Sequence, residues 1–273
     1  MSKGLQSIDT IEPKVNPNSN SANGFNGFFP KRFKSVLRKF WPDALVAKWS
    51  GKPYLPATGK INWGDLRRIT PLCREFGTYR GGAIDRYYIE NFLAGNADII
   101  KGRILEIGDN EYTIRYGKDN VTISDILDIN EGNPKATIVA DLQEADHIPS
   151  DTFDCIILTQ TLQFIYDYKA ALRTCNRILK PQGSLLLTVP GISQIEEGEM
   201  GKNWLWSFTK RSMELIMEET FPQAQYEIET FGNVLSASAF LYGISRLEVS
   251  RSELDYNDRL YQVLITLKVT NRG

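Results

Sequence analysis

The side chains best placed to do chemistry in this 273-residue chain are carboxylates that end or interrupt apolar runs. Glu106 interrupts the run Ile104, Leu105, Ile107, which stops at Gly108; this predicts a buried parallel strand closing at a tight turn. Asp125 lies in VTISDIL, with Asp128 three residues on, and a carboxylate can accept from both hydroxyls of a vicinal diol. Asp141 and Leu142 follow a third run, TIVA. Thr159, Gln160 and Thr161 stand where a fourth, CIIL, should emerge toward a ligand. Before the first run, Arg67, Arg68, Arg74, Arg80 and Arg86 alternate with Trp63, Phe76, Tyr79, Tyr87 and Tyr88. Arg and Tyr suit a polar, hydroxylated or anionic ligand, and equally snorkel around a structural helix. Trp204, Trp206 and Phe208 form an aromatic group fit to stack on a sugar ring or planar acceptor, or to pack in the core. Asp85, Tyr87, Tyr88 and Asp167 are all candidates for a proton acceptor, with none singled out.

Other chemistries are removed by composition. The one histidine, His147, leaves no histidine metal cluster and no serine triad. Cys73, Cys155 and Cys175 form no Cys-x-x-Cys pair and read as buried thiols in a reducing, cytoplasmic setting. Residues 1–60 carry ten Lys+Arg against three Asp+Glu, about +7, so with a net charge of -1 the remainder is near -8. A basic tail on an acidic domain argues against a nucleic-acid-binding core. No apolar run approaches the roughly 18–20 residues that span a bilayer, so no transmembrane segment is expected.

These residues need elements to hold them. Residues 1–27, rich in Asn, Ser and Gly, are expected to be a disordered tail. Residues 28–60 are expected to hold a basic amphipathic helix and a linker. Phe33, Val36, Leu37, Phe40 and Trp41 share one helical face within residues 28–41, which would pack on the domain or dock on an anionic membrane surface or a partner. Residues 61–273 form the main domain, whose first part, 61–101, contains a helix from Asp85 to Leu93. Gly77, Gly81 and Gly82 give the loop before that helix freedom to fold over something. Only Glu111 to Gly117 remain for a helix after the first strand. Further strands are expected at Val121–Leu127, Thr137–Ala140, from Asp154, at Ser184–Gly191, Tyr226–Thr230 and Tyr261–Val269, and helices at Ala170–Leu179, Thr209–Thr220 and Val234–Tyr242.

A strand ending in Glu106-x-Gly108, with FDCIILTQTLQ and the helix–Leu-Lys-Pro-x-Gly–strand passage at 179–183, resembles the class I S-adenosylmethionine-dependent methyltransferases, and closely their "type 11" subgroup over residues 102–192. The glycine-rich loop is degenerate, with Asn110 and Tyr112 where the family has glycines. The resemblance implies an α/β, Rossmann-like, doubly wound seven-stranded sheet, mostly parallel with an antiparallel last strand. It implies a lid from residues 61–101 and S-adenosylmethionine as cofactor. Carried over residue by residue, it places Glu106, Gly108, Asp109, Asn110, Asp125, Asp141, Leu142 and Gln160 at the cofactor, with Asp125 on the ribose diol. It places Arg80, Tyr87, Tyr88, Trp204 and Trp206 toward the substrate.

The activity so implied is methyl transfer to a small-molecule or glycan-type acceptor. The alternative is a non-catalytic methyltransferase-like scaffold in a glycan or envelope assembly, suggested by the two missing loop glycines and the curtailed first helix. A nicotinamide oxidoreductase is disfavoured, because Gly-x-Gly-x-x-Gly is absent.

Overall fold

The apolar runs become seven strands of one sheet in the computed structural model, which describes residues 54–272. The expected tail and the basic amphipathic helix lie outside the described residues. The chain divides at Gly64 into two units. Residues 54–64 include a turn in which Lys60 N–H donates to the Ala57 carbonyl at 2.9 Å. Everything below concerns residues 65–272.

The strands are β1 (Gly102–Ile107), β2 (Val121–Asp128), β3 (Ile138–Val139), β4 (Phe153–Thr159), β5 (Leu179–Pro190), β6 (Gln225–Phe231) and β7 (Leu264–Thr270). They lie in the order β3-β2-β1-β4-β5-β7-β6. β1 to β5 pair in parallel, and β7 runs antiparallel to both neighbours, as the resemblance implied. The order reverses between β1 and β4, the point of an open α/β sheet where a crevice forms outside the carboxyl ends.

Successive side chains of a strand face opposite sides, so near-continuous apolar runs bury both faces. Leu105, Ile156, Leu185 and Leu187 point to the face covered by α2 (Tyr168–Ile178) and α3 (Lys210–Thr220), meeting Leu172 and Met213. Ile104, Cys155, Ile157 and Leu186 point to the other, covered by α1 (Ile84–Gly95) and α4 (Val234–Leu241), meeting Ile89 and Phe240. Burial on these two faces pushes the Cys155 and Cys175 thiols up to about 12, which leaves them inert at neutral pH. Cys73 is only half-buried.

Side-chain caps set the helix starts. Thr209, Asn233 and Ser250 each form a reciprocal capping box, opening α3, α4 and a short α5 (Arg251–Asp255). Beside this last cap, Val249 and Leu254 enter the core. The loop before α1 also differs from expectation. Gly77, at φ 85°, packs so closely that a Cβ would lie 2.9 Å from the Ile244 carbonyl oxygen. Arg246 N–H donates to the Gly82 carbonyl, and Arg80 grips Glu248 through Nε at 3.1 Å and Nη2 at 2.5 Å. These glycines serve close docking on residues 243–248, not freedom to swing. Among the described residues no helix is long and apolar enough to cross a membrane.

Candidate active site

The turn after β1 is built by its own acid. Glu106 is 3% exposed and accepts from Tyr112 N–H at 3.2 Å, Thr113 N–H at 2.7 Å and the Thr113 hydroxyl at 2.7 Å. It thereby caps the short helical segment after the turn, which widens into one π turn over Thr113–Gly117. Burial pushes the Glu106 carboxyl up to about 7, against the lowering effect of those three donors. Its oxygens face the protein, so Glu106 holds the turn.

Gly108 sits at φ 82°, the left-handed region that favours glycine, and nothing lies within 4 Å of where its Cβ would stand. The turn is open at its apex. Asp109 Oδ1 accepts from Glu111 N–H at 3.0 Å. Asn110 points its Nδ2 at Ser124 Oγ, 3.0 Å away on β2. The Tyr112 ring stacks on Tyr116, and its hydroxyl accepts from Arg86 Nη1 at 3.1 Å. The two residues that replace glycines are thus engaged by neighbouring side chains.

Asp125 does not stand at the carboxyl edge. It pairs with Leu105 three residues inside β2, and its carboxylate takes Arg103 Nε at 2.7 Å and the Thr137 hydroxyl at 3.0 Å. An acid already so occupied and only 7% exposed is a strand-to-strand tie. The acid at the edge is Asp128, the last residue of β2 and half-buried. Asn133, which no motif marks, donates through Nδ2 to Asp128 Oδ2 at 2.7 Å and to the Gly108 carbonyl at 2.8 Å. Its only signal was the Asn-rich turn after β2. Beyond β3, Asp141 receives Gln143 N–H at 2.9 Å and Gln143 Nε2 at 2.9 and 3.1 Å, while Leu142 is buried.

Along the same carboxyl edge, β4, β5 and the start of α1 border a half-open cavity of about 130 Å³. Phe76, Phe164, Trp204 and Phe240 supply its aromatic walls. Phe76 stacks on Phe240 at 5.5 Å and on Trp204 at 6.5 Å, and Phe164 meets Trp204 edge-on at 5.4 Å. Polar groups come from Asp85 and Arg86 in the first turn of α1, and from Gln160 and Gln163 after β4. Gln160 takes φ 48° and donates its N–H to the Thr188 carbonyl at 3.0 Å, which turns the chain sharply out of β4. Burial pushes the Asp85 carboxyl above its ordinary value despite Arg86 beside it.

Of the residues expected at the substrate, Trp204 lines this cavity and four do not. Arg80 is bound by Glu248, Tyr87 donates its hydroxyl to Asp255 at 2.5 Å, and Tyr88 donates to the Leu254 carbonyl at 3.1 Å. Trp206 donates Nε1–H to the Ile165 carbonyl and packs on Tyr168. These aromatic and cationic groups fasten α1 to α5 and one loop to another. Asp167 caps α2 through Ala170 N–H, so of the candidate bases named from sequence only Asp85 lines the cavity, where Glu196 is a second carboxylate. Phe76, Phe240 and Gln163 were not singled out from sequence, because their convergence depends on loops far apart in the chain.

A family described as a methyltransferase domain matches residues 71–226. The ubiquinone/menaquinone biosynthesis C-methyltransferase UbiE of Marinomonas sp. (strain MWYL1) is 33% identical over 87 residues, 32% of this chain and 32% of that protein. The match thus spans about a third of that relative's length. Among solved structures, a possible histamine N-methyltransferase from Thermotoga maritima is 17% identical, covering 69% of this chain and 91% of that one at a TM-score of 0.48. A methyltransferase from Mesorhizobium loti is 16% identical, covering 69% and 98% at 0.46.

Proposed function

Since the chain belongs to the methyltransferase-domain family, and is with that family an S-adenosylmethionine-dependent methyltransferase, we propose that it methylates a small planar acceptor held in the aromatic-walled cavity. The observation that carries this reading is the cavity itself, at the carboxyl ends of β4 and β5. Its aromatic walls suit a flat ring.

The residues of the β1–β2–β3 edge fit the cofactor. Gly108 leaves open space at the turn, where any β-carbon would intrude. Asp128 would hold the ribose diol, with Asn133 fixing its carboxylate, and Asp141 and Leu142 would border the adenine. Glu106 and Asn110 shape the turn and need not touch the ligand. When bound, S-adenosylmethionine supplies a methyl group on a cationic sulfur, which keeps the bonding pair as the acceptor's lone pair takes the carbon. The protein's part is mainly to hold the acceptor in line. An O–H or N–H acceptor must also lose a proton, and the Asp85 carboxylate is the group to receive it.

Calorimetric titration of the full chain with S-adenosylhomocysteine tests the reading. Saturable heat in the micromolar range is expected. No heat up to millimolar ligand would overturn it.

A further inference from the structure

Gln163 is 1% exposed, yet its side-chain oxygen has no hydrogen-bond partner; it is the one such buried side-chain atom among the described residues. Its amide cannot be turned over to cure this. Gln163 Nε2 donates to the Gln160 main-chain carbonyl at 2.9 Å and to Gln160 Oε1 at 3.2 Å. A flip would set oxygen against a main-chain carbonyl oxygen, which cannot itself reverse. The amide orientation is therefore locked, with Oε1 left over as an acceptor on a residue that lines the aromatic cavity. Buried polar groups are almost always satisfied, and leaving one unmade is costly, so this atom calls for a donor.

We propose that Gln163 is the residue that selects the acceptor: the cavity takes an aromatic ring bearing an O–H or N–H group, whose hydrogen is donated to Gln163 Oε1. This deepens the proposed function and rests on it, because it concerns how the acceptor is held in that same cavity. Three observations converge on this class of ligand. The walls are flat and apolar at Phe76, Trp204 and Phe240. The polar wall presents an acceptor with its own donors already used on Gln160. Asp85, on α1, adds a carboxylate, a second acceptor. An unmet acceptor among aromatic walls fits a phenol or an aromatic amine, whereas an ether or a plain hydrocarbon would leave Gln163 Oε1 unpaired.

The test uses phenol and toluene, which have nearly the same shape and differ by a hydroxyl for a methyl. Apolar transfer alone favours toluene. Titrated calorimetrically into the full chain saturated with S-adenosylhomocysteine, phenol is expected to bind about tenfold or more tighter than toluene. In Gln163→Leu the order should reverse, with S-adenosylhomocysteine affinity unchanged. Equal or tighter toluene binding by the wild type overturns the proposal, as does a phenol preference that survives in folded Gln163→Leu, or no phenol binding up to its solubility limit. The wild-type comparison decides even if the variant does not fold. Failure of S-adenosylhomocysteine to bind, with phenol preferred over toluene in its absence, would instead overturn the cofactor reading and leave the selection by Gln163 standing.

Discussion

Glu106 Oε2 accepts both the backbone N–H and the hydroxyl of Thr113, each at 2.7 Å. A single buried acid at the end of β1 thereby fixes the start of the segment that follows, and with it the open turn at Gly108. The pH behaviour of this pair can be stated. With its pKa raised from 4.5 to about 7 by burial, Glu106 keeps a proton in the folded protein that the unfolded chain releases. Its contribution is full below about pH 4.5 and is lost as pH rises through 7. Glu248, held low by Arg80, titrates on the acid side of that window. The stability of Glu106→Gln relative to wild type should therefore improve from pH 5 to pH 8, by up to about 3 kcal/mol. Urea unfolding at the two pH values measures this, and a difference that stays flat would refute it.

The two acids of β2 should separate cleanly. Asp128→Ala is expected to weaken S-adenosylhomocysteine binding by about tenfold or more, with little change in melting temperature. Asp125→Ala should leave affinity near wild type and lower stability by about 1–3 kcal/mol, because Arg103 and Thr137 lose their shared partner. Paired titrations and thermal melts distinguish them; the reverse pattern would return the ribose to Asp125.

Gly108 carries a conformational and a spatial requirement. Gly108→Ala places its Cβ in open space, so only the backbone strain at φ 82° opposes folding, about 1–2 kcal/mol. Gly108→Val should fold less well and lose S-adenosylhomocysteine binding altogether. Folded Gly108→Val that binds like wild type would mean that no ligand crosses this turn.

Asp85 should act on rate and not on cofactor affinity. With any acceptor that turns over, Asp85→Asn is expected to lower kcat by about 10²–10⁴-fold while S-adenosylhomocysteine binds as before. Because burial raises the Asp85 carboxyl, the wild-type rate should climb with pH above the ordinary carboxylate range, and that limb should vanish in the variant. An unchanged pH profile would remove Asp85 as the base.

Residues expected at the substrate but found elsewhere give the control. Tyr87→Phe removes the hydrogen bond to Asp255 and should lower the melting point by a few degrees at most, with ligand binding untouched. A loss of binding greater than a few-fold would place α1's outer face in the site.

The sequence by itself determined what local pattern controls. The seven strands, their buried faces and the glycine after β1 follow from runs of apolar residues ended by turn formers, because a parallel sheet buried on both sides can be made in few other ways. The short segment between Gly108 and Val121 followed from chain length alone, and it became a π turn followed by a 3-10 turn. What only the tertiary structure decided was which polar group faces what. Asp125 and Asp128 are three residues apart, and an odd offset reverses the facing of a strand side chain; Arg103 on β1 claims the first and leaves the second at the edge. Arg80, Tyr87 and Tyr88 read as ligand-binding residues until residues 248–255, more than 160 positions away, supplied their partners. Gln163 and Asp85 entered the cavity for the same reason in reverse. A side chain's role depends on which of its hydrogen bonds are already taken, and the partners that take them are brought up by folding from parts of the chain that local spacing cannot see.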